Sequence, residues 1–117
     1  MSSTIAEIHN ILSQHKFNMS SELPLQEQMA AVFSKAGIVY QKEVILSPHD
    51  RIDFMIGDIG IEVKVKGSPS MIYQQCRRYC HFDQVKELLL VTARAMGLPP
   101  ETEGKPCYLL NLGRSWL

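Results

Sequence analysis

Apolar residues near the start of the chain recur at helical spacing in two blocks. Ile5, Ile8, Ile11 and Leu12 follow one another at the interval that lines one side of an α-helix, and Thr4 with Glu7 fits a capping box in front of them. An amphipathic helix is predicted over residues 4 to 16. Asn18, Ser20 and Ser21 break the pattern, and a second helix is predicted from Glu22 to Ala36. Ser21 is its expected cap, Pro24 is tolerated in its first turn and Gly37 stops it. Met29, Phe33 and Ala36 form the stripe expected to be buried, with Ala30 and Leu25 on either side.

The pattern then changes to strands. Ile38 to Leu46 reads as a first strand, and Ser47-Pro48-His49-Asp50 as a turn. Two apolar runs flank Gly57-Asp58-Ile59-Gly60, which predicts a β-hairpin. Gly67-Ser68-Pro69 reads as a hinge, a cap and a first-position proline, starting a third helix through His81 whose buried stripe is Ile72, Cys76 and Tyr79. Gln75 projects beside that stripe and needs a hydrogen-bond partner, whereas Gln74 points away from it. Glu87 to Thr92 is an apolar run of the kind expected for a central strand covered on both faces. Residues 97 to 106 are expected to be a loop, Cys107 to Leu112 a last strand, and Trp116 and Leu117 a cover for one edge of the core. The expected order is helix, helix, strand, strand, strand, helix, strand, strand: an α/β fold in one domain, a mixed sheet flanked by helices.

The hairpin carries charges that its fold does not require. With Gly57-Asp58 as the loop, Ile56 faces Ile59 and Asp53 stands opposite Glu62. The two-residue period sends Ile61, Val63 and Val65 to one face and Glu62, Lys64 and Lys66 to the other. Two adjacent carboxylates on rigid strands repel unless something positive lies between them, and a divalent cation such as Mg²⁺ with its preference for oxygen is one solution. The other is a solvated face on which Lys64 pairs with Asp53 across the strands, worth about 0.2–1 kcal/mol. Asp followed by Glu-x-Lys is too short a pattern to separate the two.

Composition narrows the picture further. Twelve basic and twelve acidic residues cancel, which argues against a protein that merely coats nucleic acid but not against a nuclease, whose metal-binding acids offset its phosphate-binding bases. Cys76, Cys80 and Cys107 lack paired zinc-site spacing and are expected to be reduced, buried thiols of a cytoplasmic protein, or of the host cytoplasm if the chain is viral. No apolar run approaches the length of a membrane span.

A helix, a β-meander bearing Asp53…Glu62-Val63-Lys64, a further helix with Gln75-x-x-Arg78-Tyr79 and then ELLLVT resembles the PD-(D/E)xK nuclease superfamily, with its restriction-endonuclease-like core. It is similar in particular to small archaeal Holliday-junction resolvases and phage recombination nucleases. The resemblance spans residues 22 to 92, with residues 1 to 21 as an N-terminal helix and linker and 93 to 117 as a loop, last strand and tail. Those resolvases carry an acid on the helix before the meander about ten positions ahead of its closing glycine. Glu27 stands ten positions before Gly37 and is the residue this pattern selects. Ile52 replaces the proline that usually precedes the aspartate, which weakens the signature.

The resemblance implies a Mg²⁺-dependent deoxyribonuclease, with Mn²⁺ as a substitute. Asp53, Glu62 and the Val63 carbonyl would hold the metal, Lys64 would orient or deprotonate water, Glu27 would bind a second metal or its water, and Gln75 would orient Lys64 or phosphate. Lys66, Arg77 and Arg78 are the expected DNA contacts. One catalytic core serves junction resolution, flap cleavage and restriction alike. A homodimeric endonuclease on branched or double-stranded DNA is expected, with Ile5, Ile8 and Leu12 or Trp116-Leu117 as its apolar contact. The alternative is a catalytically inactive nuclease fold that binds or assembles in a nucleic-acid complex.

Overall fold

A computed structural model describes residues 3 to 113. Helix α1 spans Ile5–Ser13, with the Thr4 hydroxyl oxygen accepting the Glu7 N–H at 3.2 Å as the capping pattern predicts. Helix α2 spans Glu22–Lys35. Ser21 occupies its cap position in an extended conformation, but its side chain makes no capping bond, so this expectation holds for the position and not for the chemistry.

The end of α2 explains why the first strand starts later than expected. Gly37 takes the left-handed conformation (φ 74°), its N–H donates to the Ser34 carbonyl and the Ile38 N–H donates to Phe33 at 2.9 Å. This pair of reverse bonds satisfies carbonyls that the helix leaves open, and the buried Ile38 side chain packs back into the cluster beneath α2. Ile38 thus belongs to the helix stop, and β1 runs over Gln41–Ser47 rather than from residue 38.

The remaining elements are β2 (Asp50–Ile56), β3 (Ile59–Lys64), α3 (Pro69–Tyr79), β4 (Glu87–Thr92), β5 (Glu101–Thr102) and β6 (Lys105–Asn111). The hairpin has the expected register, with Ile56 opposite Ile59. The Ser68 hydroxyl oxygen caps α3 by accepting the Met71 N–H at 3.2 Å, and the helix ends at Tyr79 rather than His81. The short strand β5 was expected to be loop. Glu103 and Gly104 both have positive φ (54° and 75°), the backbone of a tight hairpin turn that joins β5 to β6 and starts β6 two residues before Cys107. Glu-Gly is a weaker signal for such a turn than Asn-Gly or Asp-Gly.

One mixed sheet has the order β1-β2-β3-β4-β6-β5, and β3, β4 and β6 run parallel. α1 and α2 cover one face over Phe54, Ile61, Val63, Leu89, Val91 and Leu110. α3 covers the other over Ile52, Leu88, Leu90 and Cys107. The central strand β4 is therefore buried on both faces, as its unbroken apolar run predicts. Ile8 and Leu12 are fully buried within this one chain, so they are not available as a contact between copies. Trp116 and Leu117 lie outside the described residues. Among the described residues no helix is long and apolar enough to cross a membrane.

Candidate functional site

The hairpin opens at Asp53. Backbone pairing of β2 with β3 runs from Ile56↔Ile59 to Phe54↔Ile61, and at the next position side chains take over. The Val63 N–H donates to Asp53 Oδ2 at 2.8 Å, and the Asp53 N–H donates to Glu62 Oε1 at 3.4 Å. Each strand thus has its free N–H met by a carboxylate from the other.

The distortion extends across β2. Lys42 pairs with Phe54 and Val44 with Ile52, but between them Glu43 has a positive φ of 53°. In a regular strand residues two apart share a face. Here Ile52 packs under α3 whereas Phe54 packs under α2, so the alternation breaks at Asp53.

Glu62 is 2% exposed. Its Oε2 lies 3.5 Å from Lys64 Nζ and 3.2 Å from the Tyr79 hydroxyl. Burial is the main reason its pKa is pushed up to about 9, the Asp53 charge adds to this, and Lys64 opposes it. Burial also raises Asp53, against the Val63 N–H that favours its charged form. Without a cation both carboxyls are therefore shifted toward their protonated forms. Lys64 is positioned through its main chain as well, since its carbonyl accepts the Thr92 hydroxyl at 2.7 Å and the Ala93 N–H at 3.1 Å.

Tyr79 joins α3 to this pair. Its hydroxyl lies 2.9 Å from the Arg51 carbonyl and 3.2 Å from Glu62 Oε2, and it accepts the Gln75 amide N–H at 2.7 Å. A phenol has one proton and can donate it to only one of the two oxygens at a time. Burial holds that proton on Tyr79, raising its pKa well above the ordinary range. Gln75 is therefore brought to the site as expected, but through Tyr79, while Gln74 is exposed. The expectation that Tyr79 is simply a core residue missed its hydroxyl; the signal was its spacing from Gln75, one helical turn on.

Of the two α2 acids, it is Glu22 and not the expected Glu27 that hydrogen-bonds to the chain leaving the hairpin. Glu27 is exposed. Glu22, in the first turn, accepts the Val65 N–H through Oε1 at 3.3 Å, just past the end of β3, and its charge helps to raise Asp53. At 100° per residue Glu27 is turned about 140° from Glu22, whereas Gln26 shares the Glu22 side and is buried. The signal available in the sequence was that Glu22 and Gln26 lie in line with Met29 and Phe33.

A hollow of about 280 Å³ is lined by Lys64, Lys66, Met71, Gln75 and Arg78 among others, and Lys64 links it to Glu62. Larger hollows along α1 hold mainly apolar surface and none of these groups, so chemistry rather than size singles out this one. Of the three expected DNA contacts it gathers Lys66 and Arg78. Arg78 also donates to Asp50 at 2.9 Å, near the β1–β2 turn, whereas Arg77 pairs with Glu103 at 2.8 Å in the β5–β6 turn, at the opposite edge of the sheet.

Among the described residues no group of three or more His, Cys, Asp or Glu side chains is arranged to hold a metal ion. Asp53 and Glu62 are a pair. Mg²⁺ commonly takes one or two carboxylates and completes its shell with water and substrate phosphate, so a buried and a half-buried carboxyl side by side suit it. Comparison of the chain with family models, with curated proteins and with solved structures gave no match.

Proposed function

We propose that this chain is a Mg²⁺-dependent deoxyribonuclease of the PD-(D/E)xK type, with a restriction-endonuclease-like core. The observation that carries the reading is the convergence of Asp53, Glu62 and Lys64 where β2 and β3 part, beside a hollow lined by Lys66, Gln75 and Arg78. Asp53 and Glu62, with the Val63 carbonyl, would hold Mg²⁺ or Mn²⁺. A bound divalent ion supplies charge neutralisation at the phosphate and a more acidic water.

The chain's own groups do the rest. Lys64 orients the attacking water through its ammonium group. Gln75 fixes the Tyr79 hydroxyl, and Tyr79 fixes Glu62. Glu22 holds the end of β3 and orders water beside Asp53. Lys66 and Arg78 bind phosphate oxygens, which positions the strand without reading its sequence. The substrate is branched or double-stranded DNA, cut by a cytoplasmic homodimer whose contact uses the exposed Val39 and Ile45 near edge strand β1.

One observation favours a second reading. Lys64 and Tyr79 already engage Glu62 within the protein, so the cluster also suits a metal-free assembly module. The test is incubation with Mg²⁺ and single-stranded, duplex, flap and four-way-junction DNA. Cleavage that EDTA stops supports the nuclease, and binding without cleavage of any substrate supports the module.

A further inference from the structure

All three cysteines of the chain gather between α3 and the sheet, and the candidate site uses none of them. Cys76 and Cys80 lie one turn apart on the buried side of α3 and its cap, and Cys107 stands on β6 beside Leu88. The sulfur atoms of Cys80 and Cys107 are 3.8 Å apart although 27 positions separate them in the chain.

We propose that Cys80 and Cys107 are a peroxide-sensitive dithiol that closes reversibly to a disulfide, and that α3 transmits this closure to Glu62. The geometry supports it in three ways. First, a disulfide sets its sulfurs about 2.05 Å apart, a closure from 3.8 Å that side-chain rotation and a small helix shift can supply. Second, the pair is asymmetric: Cys107 is 5% exposed against 1% for Cys80, and its Sγ lies within hydrogen-bond reach of both the Cys80 sulfur and the Lys105 carbonyl, at 3.8 and 3.6 Å. Third, Thr102 is buried near Cys107, and its hydroxyl has no hydrogen-bond partner among the described residues, so it is free to donate to a Cys107 thiolate once one forms.

The chemistry balances with hydrogen peroxide, which is small enough to reach a nearly buried sulfur. The Cys107 thiolate attacks one peroxide oxygen, the O–O bond breaks and the other oxygen leaves as water after taking a proton. The resulting sulfenic acid is attacked by the Cys80 sulfur, which loses its proton as the S–O bond breaks and a second water leaves. Two thiols are oxidised by two electrons and one peroxide is reduced to two waters; a small dithiol reverses the reaction by exchange.

Cys80 directly follows Tyr79, the residue that bridges Gln75, Arg51 and Glu62. Drawing Cys80 toward β6 pulls the end of α3 toward the β5–β6 side of the sheet and loosens the hold of Tyr79 on Glu62. This second step rests on the nuclease reading, whereas the first does not.

The experiment treats the full chain with hydrogen peroxide under native conditions, counts free thiols and maps peptides without reduction. The expected result is a fall from three thiols to one, a linked Cys80–Cys107 peptide lighter by two hydrogens, and full reversal by dithiothreitol. Cys76→Ser should keep the linkage and Cys107→Ser should abolish it. Unlinked sulfinic acids, links between chains, or retention of three thiols would overturn the dithiol. Because Cys107→Ser alters the core, the wild-type peptide map decides if that variant fails to fold. For the second step, cleavage of DNA by the oxidised form should fall several-fold and recover on reduction. An unchanged rate in the linked form overturns the coupling to Glu62, and absence of cleavage in both forms defeats the nuclease reading while the peptide map still judges the dithiol.

Discussion

Glu22 Oε1 accepts the Val65 N–H at 3.3 Å and so ties the first turn of α2 to the chain leaving β3. Glu27, on the same helix, is turned to solvent. Glu22→Ala should therefore lower DNA cleavage about tenfold or more, the scale on which groups that orient metal ligands act, while Glu27→Ala leaves it nearly unchanged. Initial rates of the two variants at saturating Mg²⁺ decide the matter. A silent Glu22→Ala with a crippled Glu27→Ala would reject the assignment of the α2 acid.

Asp53→Ala, Glu62→Ala and Lys64→Ala should each abolish cleavage yet leave a folded protein. Each acid variant removes a carboxyl whose charge burial penalises but also leaves a strand N–H without its acceptor, so the metal-free melting temperatures should stay close to that of the wild type. Mg²⁺ or Ca²⁺ should raise the melting temperature of the wild type and not of Asp53→Ala. Ca²⁺ should inhibit cleavage, because it prefers a larger and looser oxygen shell than Mg²⁺. Full activity of Glu62→Ala would end the proposal.

The metal-free protein should lose stability as pH rises. Glu62 has an ordinary pKa near 4.5 when unfolded and about 9 when folded, so the folded state binds more protons across that interval. Its contribution is complete below the unfolded value and falls steadily up to the folded one, and the upward shift of Asp53 acts in the same direction. Unfolding free energies from urea titrations in EDTA should decrease between pH 5 and pH 8 by an amount on the order of a few kcal/mol, and Glu62→Gln should flatten that slope. A wild-type slope that is flat or rises would show that Glu62 is ionised in the native apo state.

Tyr79→Phe removes the hydroxyl that serves both the Arg51 carbonyl and Glu62 Oε2. It should cost about 1–3 kcal/mol of stability, the usual scale for a buried group left without its partner. Gln75→Ala should reduce activity by the same route with a smaller loss of stability, and Gln74→Ala should do neither. Denaturant midpoints and cleavage rates measured on the three variants separate the effects. An essential Gln74 would mean that the α3 side facing the site has been misassigned.

Local physics decides much of this protein from sequence alone. A capping Thr4-x-x-Glu7, a Gly-Asp loop between apolar runs, a Ser-Pro helix start and an unbroken ELLLVT each act over a few residues, and the corresponding elements lie where the pattern puts them. The meeting of Asp53 with Glu62 was also legible, because hairpin register is a matter of counting outward from the turn. Three features were decided only by the tertiary structure. The break in alternation at Asp53 arises because β1 kinks at Glu43 on one side of β2 while carboxylates replace the ladder on the other, and neither neighbour is visible from β2 itself. The choice of Glu22 over Glu27 depends on how α2 is rotated against β3, which its whole buried stripe sets and no spacing to a glycine can. The closeness of Cys80 to Cys107 requires α3 to lie across strands formed later in the chain, since sulfurs 27 positions apart meet only when packing of the sheet brings them together.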